Sequence, residues 1–389
     1  MKANVVVPVA IQLRLDDVAW VNGEDMRHIN RPSRSGLPRK HHYLDYVAIN
    51  ELGKRLDMKI SCSLVMGEFD IKNRLRGVPH VSWDPENWDM ASQIDLDYAN
   101  QCLGYLDSAE YLDYTVHGLL HGYYDNGKIV TEMQYYPNVY DPVKGCYTED
   151  WRRLTKDEFR THLNLFFQIC KDWNFKKPFN SFACPCGCKG EPEDNTEYTQ
   201  VLKEYGLYSW ANGWGNFHEN VRVADGVICF KSVSSGIRWN AFDVDPELIK
   251  FNYYEGMEMP RTDFGVHWTN FIRYHPEHNM DRIEAWANYF KRHEDIFGVM
   301  LAKDVLFATS QAVYNRYAKV TETDTGCVID LTEVDNKGAL GLRNEFYISM
   351  RGGAKPKTVT GGTAEVYDTR KDFVTYKITR TQGNVTITY

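Results

Sequence analysis

Two adjacent carboxylates, Asp16 and Asp17, end the run Val-Ala-Ile-Gln-Leu-Arg-Leu-Asp-Asp-Val, and His117-Gly-Leu-Leu-His121 is the chain's single His-x-x-x-His. One acid and two imidazoles make a donor set for a divalent ion, and a second carboxylate beside them can take a proton from water that the ion activates. The plainer reading is a solvated acid pair and two ordinary histidines. Position favours the chemical one. Both features follow short apolar strands, at the carboxyl ends where β/α folds gather their sites. Adjacent acids are also costly to leave unpaired. A third group, His267 in Phe-Gly-Val-His-Trp-Thr-Asn, ends another expected strand. Beside an activated water it would serve as general acid.

The elements that must carry these residues read as alternating strands and helices. Residues 5–15 alternate, with Val7, Val9, Ile11, Leu13 and Leu15 on one face and Gln12, Arg14 and Asp16 on the other. Such a strand suits a barrel interior near a site. A helix over 42–56 and a strand over 59–66 closed by Gly67 follow, then a helix near 93–107 and a strand over 112–116 that delivers His117. Residues 122–154 form a tyrosine-rich loop too long for a plain connector. Thr155 and Glu158 make a capping box for a helix over 155–173. Further strands are expected at 179–183, 207–211, 264–268 and 297–301, and helices at 196–205, 281–293 and 305–317. This spacing indicates parallel β/α units. Beyond Val320 the segments alternate, are rich in Thr, Val and Tyr, and are separated by glycine turns, as in a small all-β domain. The expected division is residues 1–318 and 319–389.

Hydrophobic content of 43% and charged content of 25% over 389 residues are ordinary for a globular chain with its own core. A net charge of −8 speaks against nucleic acid as partner. There is no run of about 18 apolar residues, so no membrane partner is expected. The start Met-Lys-Ala-Asn lacks a signal-peptide pattern, and the nine cysteines are mostly scattered. Both point to reduced thiols and a cytoplasmic location. Cys184, Cys186 and Cys188 alternate, but no second pair exists to complete a zinc site. His275 and His278 read as surface residues. The sequence leaves a homo-oligomer open.

Strand-Asp-Asp, a later His-x-x-x-His, then an apolar-x-His near the end of the β/α region resembles the polysaccharide deacetylase family (carbohydrate esterase family four) over about residues 5–302. The resemblance implies an irregular (β/α) barrel of about seven strands, with a C-terminal β-sandwich-like accessory domain outside it. It implies Asp17, His117 and His121 as metal ligands, Zn2+ as the expected ion, Asp16 as general base and His267 as general acid. The implied reaction removes an N- or O-acetyl group from a carbohydrate, with a metal-bound water as nucleophile. The chain departs from the family in three places. Val18 stands where glycine follows the acid pair, the segment Phe182-Ala-Cys-Pro-Cys-Gly187 lacks the family's arginine, and Tyr208-Ser-Trp-Ala-Asn212 is a trace of its fourth motif. Arg14, on the same strand face as Asp16, could replace the missing arginine.

Trp20, Trp268, Glu132 and Arg14 are the candidate substrate-binding residues, the tryptophans because each neighbours a proposed catalytic residue. With 25 Tyr and 10 Trp, stacking on sugar rings and plain core packing are both open for such rings. Two other readings stand beside the deacetylase. One is a glycoside hydrolase using two carboxylates, for example Asp16 and Glu132. The other is a carbohydrate-binding relative without catalysis.

Overall fold

Pro8 divides the apolar run at the N-terminus into two strands, because it has no amide hydrogen to give to a ladder. The structure is a computed structural model that describes residues 4–19, 21, 37, 39–125, 128–131, 140–141, 143, 146–147, 154–185, 196–211, 221–234, 237, 241–249, 262–352, 355–381 and 383–389. The chain runs β1 (Asn4–Val6), β2 (Ala10–Val18), α1 (Tyr43–Leu56), β3 (Ile60–Leu64), α2 (Leu96–Ser108) and β4 (Leu112–Val116). Two hairpins follow, β5 (Gly122–Asp125) with β6 (Lys128–Thr131) and β7 (Tyr140–Asp141) with β8 (Cys146–Tyr147). Next come α3 (Lys156–Asp172), β9 (Phe179–Ala183), α4 (Thr196–Glu204), β10 (Ser209–Ala211), β11 (Val221–Ala224), β12 (Val227–Phe230) and β13 (Ser232–Ser234). Then β14 (Asp263–His267), α5 (Ile283–Phe297), β15 (Met300–Leu301) and α6 (Val305–Tyr317). The C-terminal part holds β16 (Lys319–Glu322), β17 (Gly326–Asp330), α7 (Thr332–Asn336), β18 (Glu345–Arg351), β19 (Thr358–Thr360), β20 (Gly362–Thr369), β21 (Phe373–Arg380) and β22 (Val385–Thr388).

One sheet carries the site, in the order β11-β12-β10-β9-β4-β3-β2-β14-β13, with β15 also on β2. Its described pairings are parallel except β11 with β12. Parallel neighbours need a crossover, and the helices supply it. Both faces of β2 are covered, so its burial is nearly continuous rather than alternating. The fold is therefore mixed α/β with a parallel sheet and separate antiparallel sheets. Among the described residues no pairing joins β11 to β13, so closure into the expected irregular barrel is not shown. The buried helix α6 packs against β2, β9, β11 and β12, and its Thr309 Oγ1 lies 3.3 Å from Ser209 Oγ of β10. The expected capping box holds α3: the Glu158 amide donates to Thr155 Oγ1 at 3.2 Å, and the Thr155 amide to Glu158 Oε2 at 2.8 Å.

The C-terminal strands form two antiparallel sheets, β1-β18-β21-β20 and β16-β17-β22-β19. The first of them takes β1 from the start of the chain. Ile329, Phe346, Ile348, Ile378 and Ile387 pack there with Tyr314 of α6. Gln311 stitches the parts together. Its Nε2 donates to the carbonyls of Pro8 at 2.8 Å and Tyr347 at 3.0 Å, and its Oε1 accepts from the Tyr347 amide at 2.9 Å. No described helix is long and apolar enough to cross a membrane.

Asp113 of β4 makes stability depend on pH. Burial, helped by Asp304, lifts its carboxyl from 3.8 to about 6, against the pull of Lys59, Lys177 and Arg343. Between those values the folded chain holds a proton that the unfolded chain has released, so stability falls as pH rises through that window. At about 1.4 kcal/mol per unit, Asp113→Asn should gain on the order of 1–3 kcal/mol at neutral pH and nothing near pH 4. Urea unfolding at the two pH values measures this. An equal effect at both would contradict it.

Candidate metal centre

Three strand ends meet at the site. β2 brings Asp16 and Asp17, β4 leads into His117 and His121, and β14 ends at His267. In a regular strand Asp16 and Asp17 would point to opposite faces. Here Asp17 has φ 63 and Ala19 has φ 70, and the β2–β3 ladder shifts register between Leu15 and Val18. A bulge with a left-handed residue re-aims a side chain, and aspartate tolerates that conformation better than most residues. Asp17 then meets three histidines, and two of them, His117 and His267, also act electrostatically on Asp16. Asp17 Oδ1 lies 3.6 Å from His117 Nε2 and 3.4 Å from His121 Nε2, and Asp17 Oδ2 lies 3.5 Å from His267 Nε2.

Residues 117–121 form a turn rather than a helix, with Gly118 at φ 87 and His121 at φ 53. Their imidazoles end with ring centres 5.2 Å apart. Gly67 permits this turn to sit on the end of β3. Its amide donates to the Leu119 carbonyl at 2.6 Å, and a Cβ there would collide with Leu119 O and the Leu120 side chain. The His117 amide donates to Leu64 O at 2.9 Å. His117 Nδ1 lies 2.8 Å from the Ala183 carbonyl. A carbonyl only accepts, so Nδ1 carries the hydrogen and Nε2, which faces Asp17, is the nitrogen that could bind an ion.

Asp17, His117 and His121 are all buried, with one ligand atom from each inside a 4.8 Å cluster, and the described residues hold no other such group. Tetrahedral coordination at about 2.1 Å sets ligand atoms about 3.4 Å apart. The Asp17–histidine separations of 3.4 and 3.6 Å match that spacing, so the donors fit a divalent ion.

Asp16 stands beside this group and is tied to Arg14, whose Nη1 donates to Asp16 Oδ1. Burial alone would lift the Asp16 carboxyl; Arg14, His117 and His267 outweigh it and hold the group at about 2. Burial also works against charge on Arg14, and Asp16 and Asp263 more than offset it, so Arg14 stays cationic. Burial drives the His267 imidazole below 6.5, although Asp17 and Asp16 pull the other way.

Two expected substrate contacts are placed otherwise. Trp268 is fully buried, edge-on to His41 at 4.1 Å and near Tyr46 at 5.2 Å, so its ring is core rather than a sugar platform. Arg14 is buried with its charge spread between Asp16 and Asp263. Trp20, Glu132, Cys186 and Cys188 lie outside the described residues. Cys184 is buried, and His275 and His278 are exposed. Asp263, which the sequence reading missed, is the buried partner of Arg14. It stands one residue before the strand expected at 264–268, and its position gave no signal of this role.

No family model matches the chain, and no curated protein matches it. Among solved structures it is similar to "Agd3 a novel carbohydrate deacetylase", with a TM-score of 0.50 and 9% identity over 98% of this chain and 65% of that one. The chain thus spans just under two thirds of that protein's length. The likeness is one of fold.

Proposed function

We propose that this chain is a metal-dependent hydrolase that removes an N- or O-acetyl group from a carbohydrate. The observation that carries this reading is the convergence of Asp17, His117 and His121 within 4.8 Å, beside Asp16 and His267. The similarity in fold to a carbohydrate deacetylase supports the same direction. Asp17, His117 and His121 would hold a divalent ion, which would supply Lewis acidity to a water and to an acyl carbonyl.

The chain's own residues do the rest. Asp16 Oδ1 is taken by Arg14, which leaves Oδ2 to accept a proton from the attacking water. A carboxylate held at about 2 is a weak base, but it stays ionised and ready across the physiological range. His267, in register with Asp16 on the neighbouring strand, would protonate the departing nitrogen or oxygen when it carries a proton, a state that Asp17 and Asp16 favour and burial opposes.

The test is acetate release from a panel of acetylated oligosaccharides, before and after chelation and after adding back Zn2+ or other divalent ions. Release that is lost on chelation and restored by metal is expected. Turnover that survives complete metal removal, or its absence on every acetylated glycan with metal loaded, would refute the reading.

A further inference from the structure

Asp263 is no part of the donor set, yet it sits at the root of the same site. It opens β14, is fully buried, and pairs in register with Gln12 across the β2–β14 ladder. Arg14 Nε donates to its Oδ2 at 3.0 Å and its Oδ1 at 3.2 Å, and Gln12 Nε2 adds a bond to Oδ1 at 3.3 Å. The other arm of Arg14, Nη1, goes to Asp16 Oδ1. One guanidinium therefore spans two carboxylates, on the two strands whose ends carry Asp16 and His267.

The guanidinium is a rigid plane with donors in fixed directions. With its Nε edge seated on Asp263, the direction of Nη1 is set, and so is that of the carboxylate Nη1 holds. Gly265 stands opposite Arg14 in the ladder and brings no side chain into that layer. A bland role exists for Asp263, namely neutralising a buried cation. That role asks only for a negative charge. The observed geometry does more, because it orients the Arg14 plane toward Asp16.

We propose that Asp263 is a positioning residue for the hydrolysis inferred above. Through Arg14 it fixes the direction in which Asp16 meets the attacking water. The inference rests on the hydrolase reading and deepens it.

The test compares wild type, Asp263→Asn and Asp263→Glu as metal-loaded full chains, recording bound Zn2+ per chain, kcat, KM and the melting temperature. Asp263→Glu keeps the charge that balances Arg14 but displaces the guanidinium. If Asp263 positions Asp16, both variants bind one Zn2+ per chain with KM within about twofold, while kcat falls on the order of 10–100-fold, the scale of a misplaced catalytic group. In an Arg14→Met background, Asp263→Asn should then have no further effect on kcat, since its route to Asp16 is already cut. If Asp263→Asn does not fold, Asp263→Glu carries the test. Folded variants at wild-type kcat overturn the proposal, and so does loss of bound Zn2+, which would move the role of Asp263 into the metal centre. Metal-loaded wild type that releases no acetate overturns the hydrolase reading as well; active wild type with fully active variants overturns this proposal alone.

Discussion

Replacing His121 with alanine is expected to abolish stoichiometric metal binding and to lower acetate release by at least about 10³-fold. The magnitude follows from several kcal/mol of lost charge stabilisation, at about 1.4 kcal/mol per tenfold. His121 belongs to the group of three side chains that could hold an ion, and its Nε2 is 3.4 Å from Asp17 Oδ1. Asp17→Asn should do the same. Asparagine suits that test because it tolerates the left-handed backbone at φ 63, so the strand end is kept while the anionic donor is lost. Two of the three donors, Asp17 and His121, sit at positive φ. Such conformations cost about 1–3 kcal/mol each and persist where a site requires them. His278→Ala is the control, since that histidine is exposed and outside the donor set. Metal analysis and thermal melts with and without Zn2+ read the outcome. Wild type should gain about 2.7 kcal/mol at a hundredfold excess of metal over Kd, a gain that both site variants lose. A full complement of bound metal in His121→Ala would remove that residue from the centre.

Much of this site is legible in the sequence because it lies at strand ends. Short apolar runs bounded by polar residues are strong local signals, and they located β4, β9 and α6 to the residue. They also set His117 and His267 at the ends of strands. What local patterning cannot carry is pairing between distant segments. The residues of β1 read as the start of β2, but Pro8 releases them to pair with β18 at the other end of the chain. The bond from Arg14 to Asp263 spans 249 residues, and no spacing rule announces it.

The turn that brings both acids to one side was hidden for a different reason. Asp16-Asp17-Val18-Ala19 has no glycine, yet two of its residues adopt the left-handed conformation. Composition gave no warning, because aspartate tolerates that region without marking it. Trp268 shows the converse. Its place beside His267 suggested a sugar contact, whereas packing on His41 and Tyr46 buries it completely. Sequence adjacency to a site does not reveal which side of the strand end a ring will take.

Asp16→Asn separates the two adjacent acids by function. Asparagine keeps the size of the side chain and an oxygen to accept from Arg14 Nη1, but it cannot take up a proton. General-base catalysis contributes about 10²–10⁴-fold, so kcat should fall by that factor. Because Asp16 is outside the donor set, bound metal should stay at the wild-type level. Asp17→Asn, one residue on, should lose the metal and the activity together. The contrast matters because desolvation or misfolding at the end of β2 would affect both variants alike. Parallel loss of metal would place Asp16 among the ligands. Wild-type kcat in folded Asp16→Asn would leave the attacking water to another base, with His267 the next group in line, since its Nε2 is 3.5 Å from Asp17 Oδ2.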